Sequence, residues 1–280
     1  MSTAKLVKKA LAEGYAVPAF NIWNAETIEV VLKTAEKLQS PVILMTSTYE
    51  LDLLSPKRYG SMAHEIAEDY DVPAALHLDH GSSMKQVDDC IKANYTSVML
   101  DFSLKPFDEN ASALKEVVDK AKPKGITVEG EIGAIGQADQ TAIEGAHESE
   151  FTDPQQARLY VEKTGVDILA ISIGNAHGIY KTLPEFDFER LKNIKESTKI
   201  PLVLHGGSGT PVEHLQKAIS LGITKVNIGT EFSRAYSDYM LSQWSEGKNL
   251  WVPIATVSAL RKMAKVVKKW IKNLGSEGKA

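Results

Sequence analysis

Eight short apolar runs recur along the chain, and the segments between them carry apolar residues three and four apart. The runs are VPAFNIW (17–23), PVILMTS (41–47), AALHLDH (74–80), SVMLDF (97–102), TVEGEIG (127–133), ILAISIG (168–174), PLVLHGG (201–207) and KVNIGT (225–230). Runs of this length suit strands buried on both faces, and the segments between suit amphipathic helices. AETIEVVLKTAEKL (25–38) and PVEHLQKAISLG (211–222) are examples. Thr210-Pro211 predicts an N-cap followed by proline at the first helical position. Gly222 is expected to close that helix, and Gly165 the helix beginning near Pro154.

Strand and helix alternate eight times without a low-complexity linker, which predicts a parallel sheet with helical crossovers. Eight units in this length fit an α/β fold of the closed (β/α)8 TIM-barrel type, spanning 1–280 as one domain with a C-terminal helical extension. An open doubly wound sheet is the alternative, but no GxGxxG follows the first run. Residues 231–274 are expected to be helical, divided at Pro253, and the tail GSEGKA to be frayed.

The chain is 43% hydrophobic, ample for a large core, and its formal net charge of −4 leaves no basic footprint for nucleic acid or a membrane surface. Cys90 is the one cysteine, so disulfides cannot brace the monomer. MSTAKLVKKALAEGYA lacks the apolar core of a signal peptide, and no run reaches the length of a membrane span. A cytoplasmic protein with no nucleic-acid or membrane partner is expected.

Barrels of this type carry their active sites at the C-terminal strand ends. There the sequence collects polar residues: Asn21 and Asn24, Ser47, Asp79 and His80, Asp101, Glu129 and Glu131, Asn175 and His177, His205 to Ser208, then Asn227 and Thr230. The opposite ends begin with plain leaders such as SPV, VPA and KIP. A single histidine is more often a satisfied structural residue than a ligand. Three at matching strand ends, His80, His177 and His205, reverse that expectation, because three imidazoles with an open fourth position make a catalytic zinc site. His64, His147 and His214 fall in helices or loops and are read as structural. His77, two residues before Asp79 on one strand face, is read as a support behind the metal ligands.

HGGSGTP (205–211) and NIGTEF (227–232) each place a turn before a helix, with Gly206, Gly207, Ser208, Gly229 and Thr230 in reach of an anion. One glycine-rich turn is weak evidence, but two in the last strands match where barrels often bind phosphate. GNAHGIYK (174–181) adds Gly178 and Lys181 to the same pocket. Asn24 and Ser47 complete the substrate-binding candidates. No lysine is expected inside near a catalytic strand end, Lys225 being taken as the start of its strand. Schiff-base chemistry is thereby disfavoured and metal assistance favoured.

AFNIWN, PVIL, HLDHGSS, SVMLD, VEGEIG, AHGIY, PLVLHGGSG and KVNIGTE follow the motif order of the class II, zinc-dependent ketose-bisphosphate aldolases, which the chain resembles from about residue 4 to its C-terminus. The resemblance implies reversible cleavage of a fructose- or tagatose-type ketose 1,6-bisphosphate to dihydroxyacetone phosphate and an aldehyde such as glyceraldehyde 3-phosphate. It implies Asp79 as the acid/base at the C4 hydroxyl and His80, His177 and His205 as zinc ligands. Gly178, Gly206, Gly207, Ser208, Asn227 and Thr230 match the pocket for the dihydroxyacetone-phosphate half. Asp101 and Glu131 match a second metal position, a monovalent cation (Na+ or K+) near the phosphate is implied, and the assembly is expected to be a homodimer or homotetramer.

Three departures stand out. Relatives carry a GGxED-like loop where this chain reads Gly136-Gln137-Ala138-Asp139-Gln140, so Asp139 takes the place of the catalytic glutamate, one methylene shorter. HGASG becomes HGGSG. A DPR segment is replaced by WVPIA (251–255), with Arg234 or Arg261 as possible substitutes for its arginine. These departures keep open a different aldehyde half, or a non-catalytic phosphosugar-binding or partner subunit. A zinc hydrolase is disfavoured by the two phosphate-type turns.

Overall fold

The computed structural model describes residues 1–137, 151–180, 182–249 and 251–280. Its strands are β1 (Val17–Asn21), β2 (Val42–Thr46), β3 (Ala74–Gly81), β4 (Ser97–Leu100), β5 (Thr127–Ile132), β6 (Gly136–Gln137), β7 (Ile168–Ile171), β8 (Ala176–His177), β9 (Leu202–Leu204) and β10 (Ile223–Ile228). Eight of them, one in each apolar run, close into a parallel barrel in the order β1-β10-β9-β7-β5-β4-β3-β2. This is the (β/α)8 TIM barrel. The remaining two, β6 and β8, pair with each other, Gly136 against Ala176 and Gln137 against His177. Two-residue strands leave no periodicity to detect, so this small sheet was not foreseen.

The helices are α1 (Thr3–Glu13), α2 (Ala25–Lys37), α3 (Thr48–Leu53), α4 (Pro56–Ala67), α5 (Met84–Lys92), α6 (Phe107–Ala121), α7 (Pro154–Thr164), α8 (Phe188–Thr198), α9 (Val212–Ser220), α10 (Thr230–Ser245) and α11 (Val252–Asn273). Their apolar faces bury Ile28, Val31 and Leu32 of α2, Leu114 and Val117 of α6, and Leu191 and Ile194 of α8 against the outside of the strands. α7 starts at Pro154 and ends at Gly165, whose φ of 70° is the left-handed cap expected there.

Three local expectations are corrected. Pro211, not Thr210, is the N-cap of α9, while Gly222, with a φ of 112° just past the C-cap Leu221, closes that helix as expected. The C-terminal helical stretch is divided near Pro253 as expected, into α10 and α11, with Pro253 in the first turn of α11, where its missing N–H costs nothing. The tail is not frayed: Gly278 and Ala280 donate to the carbonyls of Leu38 and Gln39, and Ser276 is fully buried. Lys225 does not begin its strand: β10 starts two residues earlier and holds it buried inside the barrel, where no lysine was expected.

The barrel interior is graded. At its base Leu6, Val7 and Ala10 of α1 plug the opening against Val17, Ile43, Ala75, Ile168 and Val203. Higher up, the same strand faces become polar. Alternation places Ala75, His77 and Asp79 on one face of β3, Thr127, Glu129 and Glu131 on one face of β5, and Lys225 and Asn227 on one face of β10. Apolar packing at one end therefore supports polar chemistry at the other. Among the described residues no helix is long and apolar enough to cross a membrane.

Candidate active site

Asp79 and His80 are neighbours in sequence, so a regular strand would point them to opposite faces. β3 avoids this with an irregularity: Leu78 pairs with Val98 but Gly81 pairs with Leu100, three residues advancing against two. His80 takes a φ of 45°, a left-handed conformation uncommon for a residue with a side chain. Both side chains consequently reach the barrel mouth. Gly81 is obligatory beside them, since a Cβ there would lie 2.5 Å from the carbonyl oxygen of Met99.

Asp79 is 4% exposed, and its Oδ1 accepts from Asn227 Nδ2 at 2.9 Å. The rings of His80, His177 and His205 converge from β3, β8 and the end of β9, each offering a nitrogen within 4.8 Å of the others. His80 donates from Nδ1 to Asp101 Oδ2 at 2.6 Å. His205 donates from Nε2 to Glu129 Oε1 at 2.9 Å. An ionised carboxylate offers only lone pairs, so in each ring, when neutral, the opposite nitrogen is the one left to ligate. These two, His80 Nε2 and His205 Nδ1, face each other at 2.8 Å. Two ring nitrogens at that separation need a cation between or beside them, either the proton that the raised His80 imidazole holds or a metal ion in its place. That donor set fits a divalent metal ion, and the carboxylates behind each ring are the usual support for such ligands.

The electrostatics agree. Burial, with the charge of His80 behind it, lowers the His205 imidazole well below its ordinary range, leaving it in the neutral, ligating form. Burial also opposes charge on His80, but Asp79, Asp101 and Glu131 outweigh it and raise that imidazole well above normal. Asp79, Asp101 and Glu131 thus favour a positive charge at this point. Asp101, despite its burial, is held well below the usual carboxylate range by His80 and Ser103, whereas burial and Asp101 push Glu131 well above it. His80, Asp101 and Glu131 form a second group whose ligand atoms lie within 4.8 Å of one another.

The phosphate-type turns lie beside this centre. Gly178, Gly206, Ser208, Asn227, Gly229 and Thr230 all line one cavity with Asp79 and His177. Gly206 has a φ of 64°, and a Cβ on it would lie 2.1 Å from the Ala176 carbonyl oxygen, so only glycine fits. Gly207 does not line the cavity; it packs inward, where a Cβ would meet Val226 Cγ1 at 2.5 Å. Tyr180 ties the two loops, its hydroxyl accepting from Ala176 N at 2.8 Å and donating to Gly206 O at 3.1 Å. The N-terminus of α10 opens onto the same cavity, with Ser208 Oγ accepting from Glu231 N at 3.0 Å.

Other candidates distribute differently. Ser47 lines the cavity, but its hydroxyl donates to Glu50 Oε2 at 2.6 Å in the capping box of α3. Asn24 is spent on the N-cap of α2, accepting from Thr27 N at 2.9 Å, and Asn21 lines the cavity instead. Asn21, the other polar residue expected at the end of this strand, continues the inward face of Val17 and Ala19. Arg234 lines the cavity while Arg261 lies in a separate groove between α2 and α11. His77 is fully buried behind the ligands, 2.8 Å from Ser97 Oγ and 3.5 Å from Glu129. His64 bonds the Asn94 carbonyl and His214 packs on Phe186 and Phe188, both structural positions. Asp139, Lys181 and His147 lie outside the described residues.

A closed barrel with convergent histidines, a buried aspartate and anion-type turns at its C-terminal mouth defines a metal-assisted lyase site of the aldolase kind. The model of the family "Fructose-bisphosphate aldolase class-II" matches residues 1–279, and the chain belongs to that family of metal-dependent aldehyde-lyases. Solved structures agree over the whole length. The YdjI aldolase from Escherichia coli K12 is 33% identical, covering 100% of this chain and 99% of its own, with a TM-score of 0.86. A fructose-bisphosphate aldolase from Campylobacter jejuni is 28% identical, covering 100% and 97%, with a TM-score of 0.82. A putative fructose-1,6-bisphosphate aldolase from Coccidioides immitis is 26% identical, covering 99% and 97%, with a TM-score of 0.87.

Proposed function

We propose that the protein catalyses the reversible retro-aldol cleavage of a fructose- or tagatose-type ketose 1,6-bisphosphate at its C3–C4 bond. The observation that carries this reading is the buried Asp79 carboxylate, held by Asn227, at the wall of a cavity that also contains His177 and the glycine-rich turns. His80, His177 and His205 would hold a zinc ion. Bound there, it would supply Lewis-acid polarisation of the ketose carbonyl.

The protein groups do the rest. Backbone N–H groups of the turns at Gly206–Ser208 and Gly229–Thr230 receive the C1 phosphate, aided by the N-terminus of α10. Asp79 takes the proton of the C4 hydroxyl, so that the C4–O bond becomes a carbonyl as the C3–C4 electron pair passes to C3. Asn227 keeps Asp79 in one orientation for that transfer. Asp139, assigned from sequence, returns a proton to C3 of the departing dihydroxyacetone phosphate. Asp139→Ala is accordingly expected to slow exchange of that C3 proton more than it weakens binding.

A different aldehyde half is the second reading. The WVPIA segment supplies no arginine, and Arg234 is the guanidinium at the cavity wall, half-exposed and paired to Asp238 at 3.1 Å. The cytoplasm, a homo-oligomeric assembly and a monovalent cation beside the phosphate belong to the same proposal.

The deciding assay follows triose-phosphate release from fructose 1,6-bisphosphate and tagatose 1,6-bisphosphate on zinc-loaded protein, with and without EDTA. EDTA-sensitive turnover supports the proposal, and the ratio of rates identifies the preferred C4 epimer. Zinc-bound protein inactive on both would exclude these substrates and favour the second reading.

A further inference from the structure

Lys225 and Glu129 are charged and fully buried, yet neither touches the cavity. Lys225 stands on β10 and Glu129 on β5, directly beneath the histidine centre. Lys225 Nζ donates to both carboxylate oxygens, at 2.8 Å to Oε2 and 3.1 Å to Oε1. Oε1 accepts in addition from His205 Nε2 at 2.9 Å. Oε2 lies 3.5 Å from Nε2 of His77, whose other ring nitrogen is 2.8 Å from Ser97 Oγ.

A buried ion pair contributes little net stability compared with a well-packed apolar pair, so stability alone does not account for this one. Its geometry does. A carboxylate held at one oxygen could rotate and release the imidazole. Held at both by one ammonium, Glu129 has a single orientation, and in it Oε1 points at His205. His205 must then carry its hydrogen on Nε2 and leave Nδ1 bare toward His80. A lysine at this depth is no Schiff-base nucleophile, because it lies below His205 and all its charge is directed at Glu129.

We infer that Lys225 is a positioning residue: its two-point hold on Glu129 fixes the ring and tautomer of His205 and so sets the affinity of the three-histidine centre for its divalent ion. The inference rests on the reading of His80, His177 and His205 as metal ligands.

The test compares the full-length wild-type chain with Lys225→Met, Glu129→Gln and the double variant. Co2+ affinity is measured by chelator competition, the ligand field by visible absorption of the Co2+ form, and folding by circular dichroism and thermal melting. Both single variants are expected to bind Co2+ about 10- to 100-fold more weakly and with an altered spectrum. The double variant, which has no ammonium to orient the side chain that faces His205, is expected to bind no better than either single variant. A purely structural pair would lower the melting temperature and leave affinity and spectrum unchanged, which overturns the inference. Should Lys225→Met fail to fold, Glu129→Gln and the double variant decide alone: Co2+ affinity within twofold of wild type in both overturns it. Wild-type protein that binds no Co2+, or binds it equally well after His205→Ala, overturns the metal reading and this inference with it.

Discussion

Asn227 on β10 donates its amide to Asp79 on β3, joining residues 148 apart in sequence at 2.9 Å across the barrel mouth. The bond leaves Asp79 one acceptor oxygen for the substrate. Asn227→Ala removes a hydrogen bond to a charged group, worth about 1.5–3 kcal/mol. If that is lost in the transition state, cleavage slows by about 10- to 100-fold. Asp79→Ala should cost about 10²- to 10⁴-fold, the usual share of a general base. Both variants should retain bound zinc, measured by elemental analysis of the purified protein. Near-normal turnover in Asp79→Ala would remove it from the mechanism.

A metal ion held by the three histidines, as proposed, would link metal binding to stability. An ion that binds only the folded chain stabilises it by about 2.7 kcal/mol at a hundredfold excess over its dissociation constant. Thermal melting with and without zinc should therefore show an upward shift in wild type. The shift should be lost in His205→Ala and in His80→Ala. A shift that survives both substitutions would locate the ion elsewhere.

Gly206 is fixed by its surroundings from two sides, a φ of 64° and a carbonyl oxygen 2.1 Å from where a Cβ would stand. Gly206→Ala should lower the melting temperature and raise KM for the bisphosphate, because the turn must move to admit the methyl. Gly207→Ala meets a side chain, Val226, rather than a backbone oxygen as its nearest clash. Its loss of stability should be relieved in part by Val226→Ala. A double variant no more stable than Gly207→Ala would show that the Asn227 carbonyl, 2.9 Å away, is the controlling contact.

Tyr180 makes one hydrogen bond to each of two loops that both border the cavity. Tyr180→Phe deletes both and leaves the Ala176 N–H without that partner, at a cost of about 1–3 kcal/mol. The expected kinetic signature is a raised KM with a smaller change in kcat, read from steady-state assays. An unchanged KM would mean the loops hold their places without it.

Cys90 is fully buried on α5, and burial, with Asp89 nearby, pushes its thiol up to about 12. Only the thiolate reacts with alkylating reagents. Native protein should resist iodoacetamide at pH 8, and labelling should appear together with unfolding in urea, followed by mass spectrometry. Rapid labelling of the native chain would contradict the burial.

Much of this architecture is legible in the sequence because its signals are local. An apolar run of six or seven residues, a helical spacing of three and four, and a cap such as Gly165 each act within a few residues, and together they define the barrel. Strand-end position alone brought forward His80, His177, His205, Asp79 and the turns at 205–211 and 227–232. Other features depend on partners far along the chain. Asn24 and Asn21 are chemically identical, and only the path of the chain decides which caps α2 and which meets the cavity. The tail has the composition of a frayed end, yet the carbonyls of Leu38 and Gln39 hold it. The Lys225–Glu129 pair spans 96 residues, and a lysine becomes acceptable in a barrel core only when closure brings a carboxylate to it. The turn of His80 beside Asp79 likewise needs the register of β4. Local patterning thus determined the element order, the barrel and the histidine and aspartate candidates. Barrel closure decided how buried charges pair and which way the three histidines face, because those energies exist only between strands that the sequence keeps far apart.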